Sequence, residues 1–400
     1  ITLLIEHFGK GDIMMATLLL IIIYAAFISL GLPDSLLGSA WPEMYAQLQV
    51  PQSSAGILSM IISGGTILSS LLCERMIRRF GTAAITVVSV SMTAAALLGF
   101  SLSGHFGLLC LVAIPLGLGA GAIDSALNNF VALHYESRHM NWLHAFWGIG
   151  ATCGPLIMSL FLGKEGGWRS GYGTISIIQW GLVAILVLSL PLWKPFGSPV
   201  SAAQTTQTGR QSVLKLPGVL PTLLSFFCYC AVEAMTGLWG SSFLVDNRQL
   251  SPETAAQWIS LFYLGITTGR VFSGFLAISI ANDRLIRLGE LILLVGILLL
   301  LLPWQFCGMI GLILIGLGCA PIFPAMLHET PRRFGAAHSQ SLMGLQMACA
   351  YLGTTCMPPL FGWLASHTGT GLLPVVLIVT AVLMFLLSEK ALRIFQHHEG

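Results

Sequence analysis

The sequence predicts an all-α integral membrane protein of twelve transmembrane helices in two six-helix bundles. Three observations predict it. Of the 400 residues, 55% are hydrophobic and only 8% are charged, where a soluble domain carries about a quarter. Apolar runs of the roughly 20 residues needed to cross a hydrocarbon core recur along the whole chain. The two halves also repeat short motifs. Gly117-Leu118-Gly119 returns as Gly316-Leu317-Gly318, and Ile149-Gly150-Ala151-Thr152-Cys153-Gly154-Pro155 parallels Leu352-Gly353-Thr354-Thr355-Cys356-Met357-Pro358.

The spans read as 14–40, 52–74, 82–102, 107–133, 141–163, 172–193, 218–245, 254–280, 285–303, 305–328, 338–365 and 370–389. Short polar turns separate them, with one exception. The connector 194–217 is rich in Ser, Thr, Gln, Gly and Pro, the composition of a flexible linker. It divides an N-terminal bundle of residues 1–193 from a C-terminal bundle of residues 218–400. Residues 1–13 lack the basic region, short apolar run and small-residue cleavage site of a signal peptide.

Basic residues set the orientation, because Lys and Arg stay on the cytoplasmic side. Of the 18 present, the outer loops hold only Lys164, Arg169 and Arg248, and Arg270 falls inside span eight. Both termini are therefore expected in the cytoplasm, with the chain threaded through the inner membrane. The net charge of +2 says nothing about nucleic acid, and no basic run is long enough to suggest it as a partner. The nine cysteines show no CxxC or metal-ligand spacing and read as small core residues. No cofactor or metal is implied. The expected partners are lipid, protons and a small-molecule substrate, and the expected state is a monomer.

Chemistry is sought where polar groups enter apolar runs. A charge at the bilayer centre costs about 2.5–3.5 kcal/mol on insertion scales, so such residues face a cavity and act there. Asp34 and Asp124 are the deepest acids of the first half, and Glu233 is the clear intramembrane acid of the second. In span one Phe27, Gly31, Asp34, Gly38 and Trp41 recur at three- and four-residue steps. Gly117, Gly121, Asp124 and Asn128 do so in span four, and Asn141, His144 and Gly148 in span five. Small residues let helices approach, and the polar members line a cavity wall. Asp34, Asp124 and Glu233 are the candidates for proton coupling. Asp124, Asn128, Asn129, His144, Trp147, Glu233, Trp239, Gln346 and Tyr351 are the candidates for substrate binding. Amides both donate and accept, as a polar solute requires, and aromatic faces stack on the apolar face of a ring. The competing assignments are structural: Asp34 at the outer interface, Asp124 paired with a neighbouring helix, amides bridging helices, aromatics packing. Arg270 reads as an ion-pair or snorkelling residue, and Trp41 and Trp304 read as interface anchors.

Twelve spans, a central linker and a six-plus-six repeat resemble the major facilitator superfamily. The segment Cys73-Glu74-Arg75-Met76-Ile77-Arg78-Arg79-Phe80-Gly81 resembles that superfamily's acidic-Arg-x-x-basic loop, with Ser70 where a glycine is usual. The resemblance implies that Glu74, Arg75 and Arg79 form a cytoplasmic gate. Within the superfamily, three segments resemble the fucose–galactose–hexose:proton symporters. They are Gly31-Leu32-Pro33-Asp34 through Trp41-Pro42, Asp124-Ser125-Ala126-Leu127-Asn128-Asn129-Phe130, and Asn141-Trp142-Leu143-His144-Ala145-Phe146-Trp147-Gly148. That resemblance implies proton coupling and sugar binding at Asp34 and Asp124. The span-four acid of these symporters is in some cases Glu, and the Asp here is shorter.

The function expected is secondary active transport, a proton-coupled symport of a monosaccharide by alternating access. A drug or metabolite exporter of the same superfamily is the alternative, since Gly148, Gly154 and Pro155 resemble an antiporter motif. A flippase or a membrane-embedded enzyme is remote. The chain lacks HExxH, a Walker loop and the paired aspartates of intramembrane proteases.

Overall fold

The computed structural model describes residues 10–135, 137–193, 214–277 and 279–399. These form thirteen α-helices and one 3-10 turn, with no strand among the described residues. The helices are α1 (Lys10–Asp34), α2 (Leu36–Leu48), α3 (Ser54–Leu102), α4 (Phe106–His134), α5 (Ser137–Ser159), α6 (Gly167–Leu188) and α7 (Leu190–Trp193). After the linker come α8 (Val219–Arg248), α9 (Pro252–Leu276), α10 (Asn282–Leu301), α11 (Gln305–Phe334), α12 (Ala336–Thr368) and α13 (Leu373–Glu399). In lipid every backbone polar group must be satisfied within the protein, so apolar runs of this length become helices. Eight of the helical stretches are long and apolar enough to cross a membrane by composition alone. Most of the linker, 194–213, lies outside the described residues.

Three spans differ from expectation. Span one ends at 40 in the sequence reading but continues to Leu48, broken after Asp34 into α1 and α2. Pro33 has no N–H to continue the ladder. Trp41, expected as an interface anchor, is fully buried as a result. Spans two and three join in one 49-residue helix, α3, interrupted at Gly81 (φ 79°, ψ 157°). The charged segment 74–80, read as a loop, is therefore helical. Nothing in it breaks a helix until the glycine takes a left-handed φ that other residues avoid.

The described residues fall into two compact units. One runs to Val50 and resumes at Ile57 through α7; the other takes Pro51–Gly56 together with α8 to α13. In the first unit α1 packs along α5, and in the second α8 packs along α12 and α13 while α11 packs on α9 and α10. Large apolar side chains such as Leu71, Ile177 and Leu188 point outward, more than 70% exposed, as lipid contact requires.

The first Gly-Leu-Gly motif wedges α4 between the two arms of α3 on either side of Gly81, and the second wedges α11 between α9 and α10. A Cβ on Gly117 would lie 2.2 Å from the Ile62 carbonyl oxygen, and one on Gly119 would lie 2.7 Å from that of Ser89. In the second unit a Cβ on Gly316 would lie 2.1 Å from the Phe262 carbonyl oxygen, and one on Gly318 would lie 2.4 Å from the Leu293 nitrogen. Only glycine permits such backbone contact on both faces.

The ends of α10 and α11 are tied by charge. Arg333 pairs with Asp283. Glu329, nearly buried, accepts from Arg332 at 3.1 Å and from Asn282 at 2.8 Å.

Candidate functional site

The first unit carries a carboxylate cradle. Its foundation is the backbone contact of α1 and α5. A Cβ on Gly31 would lie 2.1 Å from the Trp147 carbonyl oxygen, and one on Gly150 would lie 2.0 Å from that of Ile28. The glycine stripe thus brings Trp147 against α1, and its indole Nε1 donates to Asp34 Oδ2 at 2.8 Å. Asp34 itself is exposed, at the break between α1 and α2.

Asp124 sits on α4, half-buried. One turn on, the Asn128 amide donates to Asp124 Oδ1 at 2.9 Å, while its own Oδ1 is buried with no partner among the described residues. Asn129 is exposed and lies on a different face of the helix from Asn128. His144 is also exposed, its ring edge-on to Phe27 at 6.0 Å.

The structure adds residues that the sequence reading missed. Tyr24 stacks on Phe146 at 4.6 Å and shares a hydrogen bond with His139 Nδ1 at 2.7 Å. The signal was present: Tyr24 continues the stripe of Phe27, Gly31 and Asp34 one step back. Gln179, buried on α6, donates to the Ser29 carbonyl oxygen at 2.7 Å.

In the second unit the Tyr229 hydroxyl donates to Glu233 one turn on along α8. Tyr229 is fully buried against Phe226 and Phe323. Arg270 lies on α9. Tyr351 is half-buried on α12.

Two expected substrate contacts are placed differently. Trp239 is fully buried, its indole donating to the Pro358 carbonyl oxygen at 2.9 Å and its ring edge-on to Phe361. Gln346 is 1% exposed and accepts from the Thr330 hydroxyl at 2.9 Å. Both bridge helices here. Glu290 is a further buried acid in span nine, beside Ser388 and the Arg287–Glu389 ion pair, so Glu233 is not alone in the second half. Of the gate residues, Glu74 pairs with Arg78 on its own helix at 3.3 Å, both largely exposed. The Arg79 guanidinium lies over Phe80 at 5.2 Å.

The sequence profile described as Major Facilitator Superfamily matches residues 19–306 and 222–395. The chain belongs to this superfamily. It is a multi-pass membrane transporter and not an enzyme. Among superfamily relatives it is similar to a glucose/mannose transporter, GlcP of Bacillus subtilis, with 22% identity over 85% of this chain and 86% of that one. It is also similar to the yeast Bypass of stop codon protein 6 from Saccharomyces cerevisiae, with 21% identity over 62% of this chain. That match spans only 55% of the yeast protein. The fold is similar to a bacterial homologue of the human lysosomal transporter Spinster. The TM-score is 0.78 at 12% identity, over 97% of this chain and 98% of that one.

Proposed function

We propose that this superfamily member is a proton-coupled symporter of a neutral monosaccharide, working by alternating access. It sits in the inner membrane with both termini in the cytoplasm. The observation that carries the reading is the carboxylate pair of the first unit. Asp34 is held by an indole N–H at 2.8 Å and Asp124 by an amide at 2.9 Å, both on predominantly apolar helices. Binding a proton neutralises such a carboxylate and lowers the cost of enclosing it in the membrane. A loaded site therefore favours the conformational change that an empty, charged one resists. Indole, imidazole, amide and carboxylate groups suit a polyhydroxylated ring, whose hydroxyls both donate and accept. The similarity to a protein named as a glucose/mannose transporter supports a hexose.

The test is proton movement in membrane vesicles on addition of glucose, mannose, deoxyhexoses, carboxylates and lipophilic cations. The expected result is external alkalinisation with one neutral sugar, lost in Asp34→Asn and in Asp124→Asn. Silence for every sugar together with a response to lipophilic cations would turn the reading to an exporter.

A further inference from the structure

The break in span one leaves a backbone debt that another helix meets. Pro33 lacks an N–H, so the carbonyl of Ser29, one turn earlier, has no intrahelical donor. In a membrane interior no water replaces the missing donor. The Gln179 side chain from α6 occupies the vacancy, its Nε2 donating to Ser29 O at 2.7 Å. Its other end is fixed too: Oε1 lies 2.9 Å from the Thr93 hydroxyl on α3. That hydroxyl also lies 3.0 Å from the Val90 carbonyl oxygen. Gln179 is 1% exposed, Ser29 5% and Thr93 4%. Neighbouring contacts hold the frame. Ser176, one turn before Gln179, donates to the Ala94 carbonyl oxygen at 2.8 Å. A Cβ on Gly119 of α4 would lie 2.8 Å from Thr93 Cγ2. One amide thus joins α6, α1 and α3, with α4 backed against them.

We propose that Gln179 is a positioning residue for Asp34: by replacing the donor that Pro33 lacks, it fixes the end of α1 from which the carboxylate reaches Trp147. Asp34 follows Pro33 directly, and α1 ends there, so the direction of its side chain depends on how that end of the helix is held. Gln179 does not touch the solute in this scheme. The inference rests on the reading of Asp34 as the proton-binding carboxylate.

The experiment separates fold from position. Gln179→Leu keeps the volume and removes both hydrogen bonds. Pro33→Ala gives Ser29 O an intrahelical donor again, so a helix with that donor restored needs no amide from α6. Thermal stability is measured for both single variants and the double variant in detergent. Carbodiimide labelling of Asp34 is followed by mass spectrometry, and glucose-driven proton uptake is followed in vesicles. Gln179→Leu is expected to melt lower, with the labelling rate of Asp34 changed several-fold and proton uptake lost. Adding Pro33→Ala is expected to restore the melting temperature without restoring labelling or uptake. Additive melting shifts, or an unchanged labelling rate at Asp34 in folded Gln179→Leu, would overturn the proposal. Retained proton-coupled uptake in Asp34→Asn would instead overturn the reading of the site, and the labelling and melting results stand apart from that outcome.

Discussion

Asp34 and Trp147 show how a side chain on one helix acquires meaning from another. The charge-assisted bond between them, at 2.8 Å, is of a kind worth roughly 1.5–3 kcal/mol. Trp147→Phe keeps the ring and removes the N–H, so uptake in vesicles should fall at least about tenfold while membrane expression persists. Trp239 is the contrast. It is buried and donates only to a backbone carbonyl. Trp239→Phe should therefore lower stability by about 1–3 kcal/mol while apparent solute affinity holds, as solute-dependent melting would show. Equal loss of affinity in both variants would oppose this division. The stripe of Phe27, Gly31 and Asp34 was legible in the sequence because three- and four-residue steps share a helix face. The indole that meets Asp34 was legible only as an aromatic near a polar stripe. Whether it stacks on solute or holds a carboxylate depends on a contact across 113 positions of chain. The Gln179 contact with Ser29 was not legible at all, because nothing local marks a glutamine in span six as the partner of a carbonyl left open by a proline in span one.

At the scale of elements, glycine decides which helices touch. Gly150 sits against the Ile28 carbonyl oxygen, where a Cβ would be 2.0 Å away, whereas Gly64 and Gly181 have nothing within 4 Å of a Cβ. Gly150→Val should lower the melting temperature, with overpacking of about 1–3 kcal/mol or more. Gly64→Ala and Gly181→Ala should be neutral or slightly stabilising, since alanine suits a helix better. All three melting alike would remove the α1–α5 contact as the cause. The span boundaries drawn from hydropathy were close in most helices and wrong where charge and structure part company. The run Glu74 to Arg79 is hydrophilic and so reads as a loop, yet its residues are good helix formers and the backbone turns only at Gly81.

For the whole molecule the internal repeat is the organising fact, and the backbone carries it further than the motifs do. Gln49 and Gln249 are the two described non-glycine residues with positive φ, at 53° and 55°. Each closes a helix at the matching place in its half. If the Gly-Leu-Gly motifs do equivalent work, Gly117→Val and Gly316→Val should depress the melting temperature by similar amounts. A large effect from one and none from the other would argue against equivalence. By itself the sequence determined the membrane setting, the helical class, the count of spans and the two-part repeat. These follow from hydropathy and periodicity, which are sums over many residues and tolerate local error. The tertiary structure alone decided which polar groups meet. It placed Trp147 on Asp34 and Asn128 on Asp124, turned Trp239 and Gln346 into bridges between helices, and supplied Gln179 to the carbonyl that Pro33 leaves open. Such pairings rest on single contacts between distant segments, where one residue of helical phase or a few tenths of an ångström decides the partner.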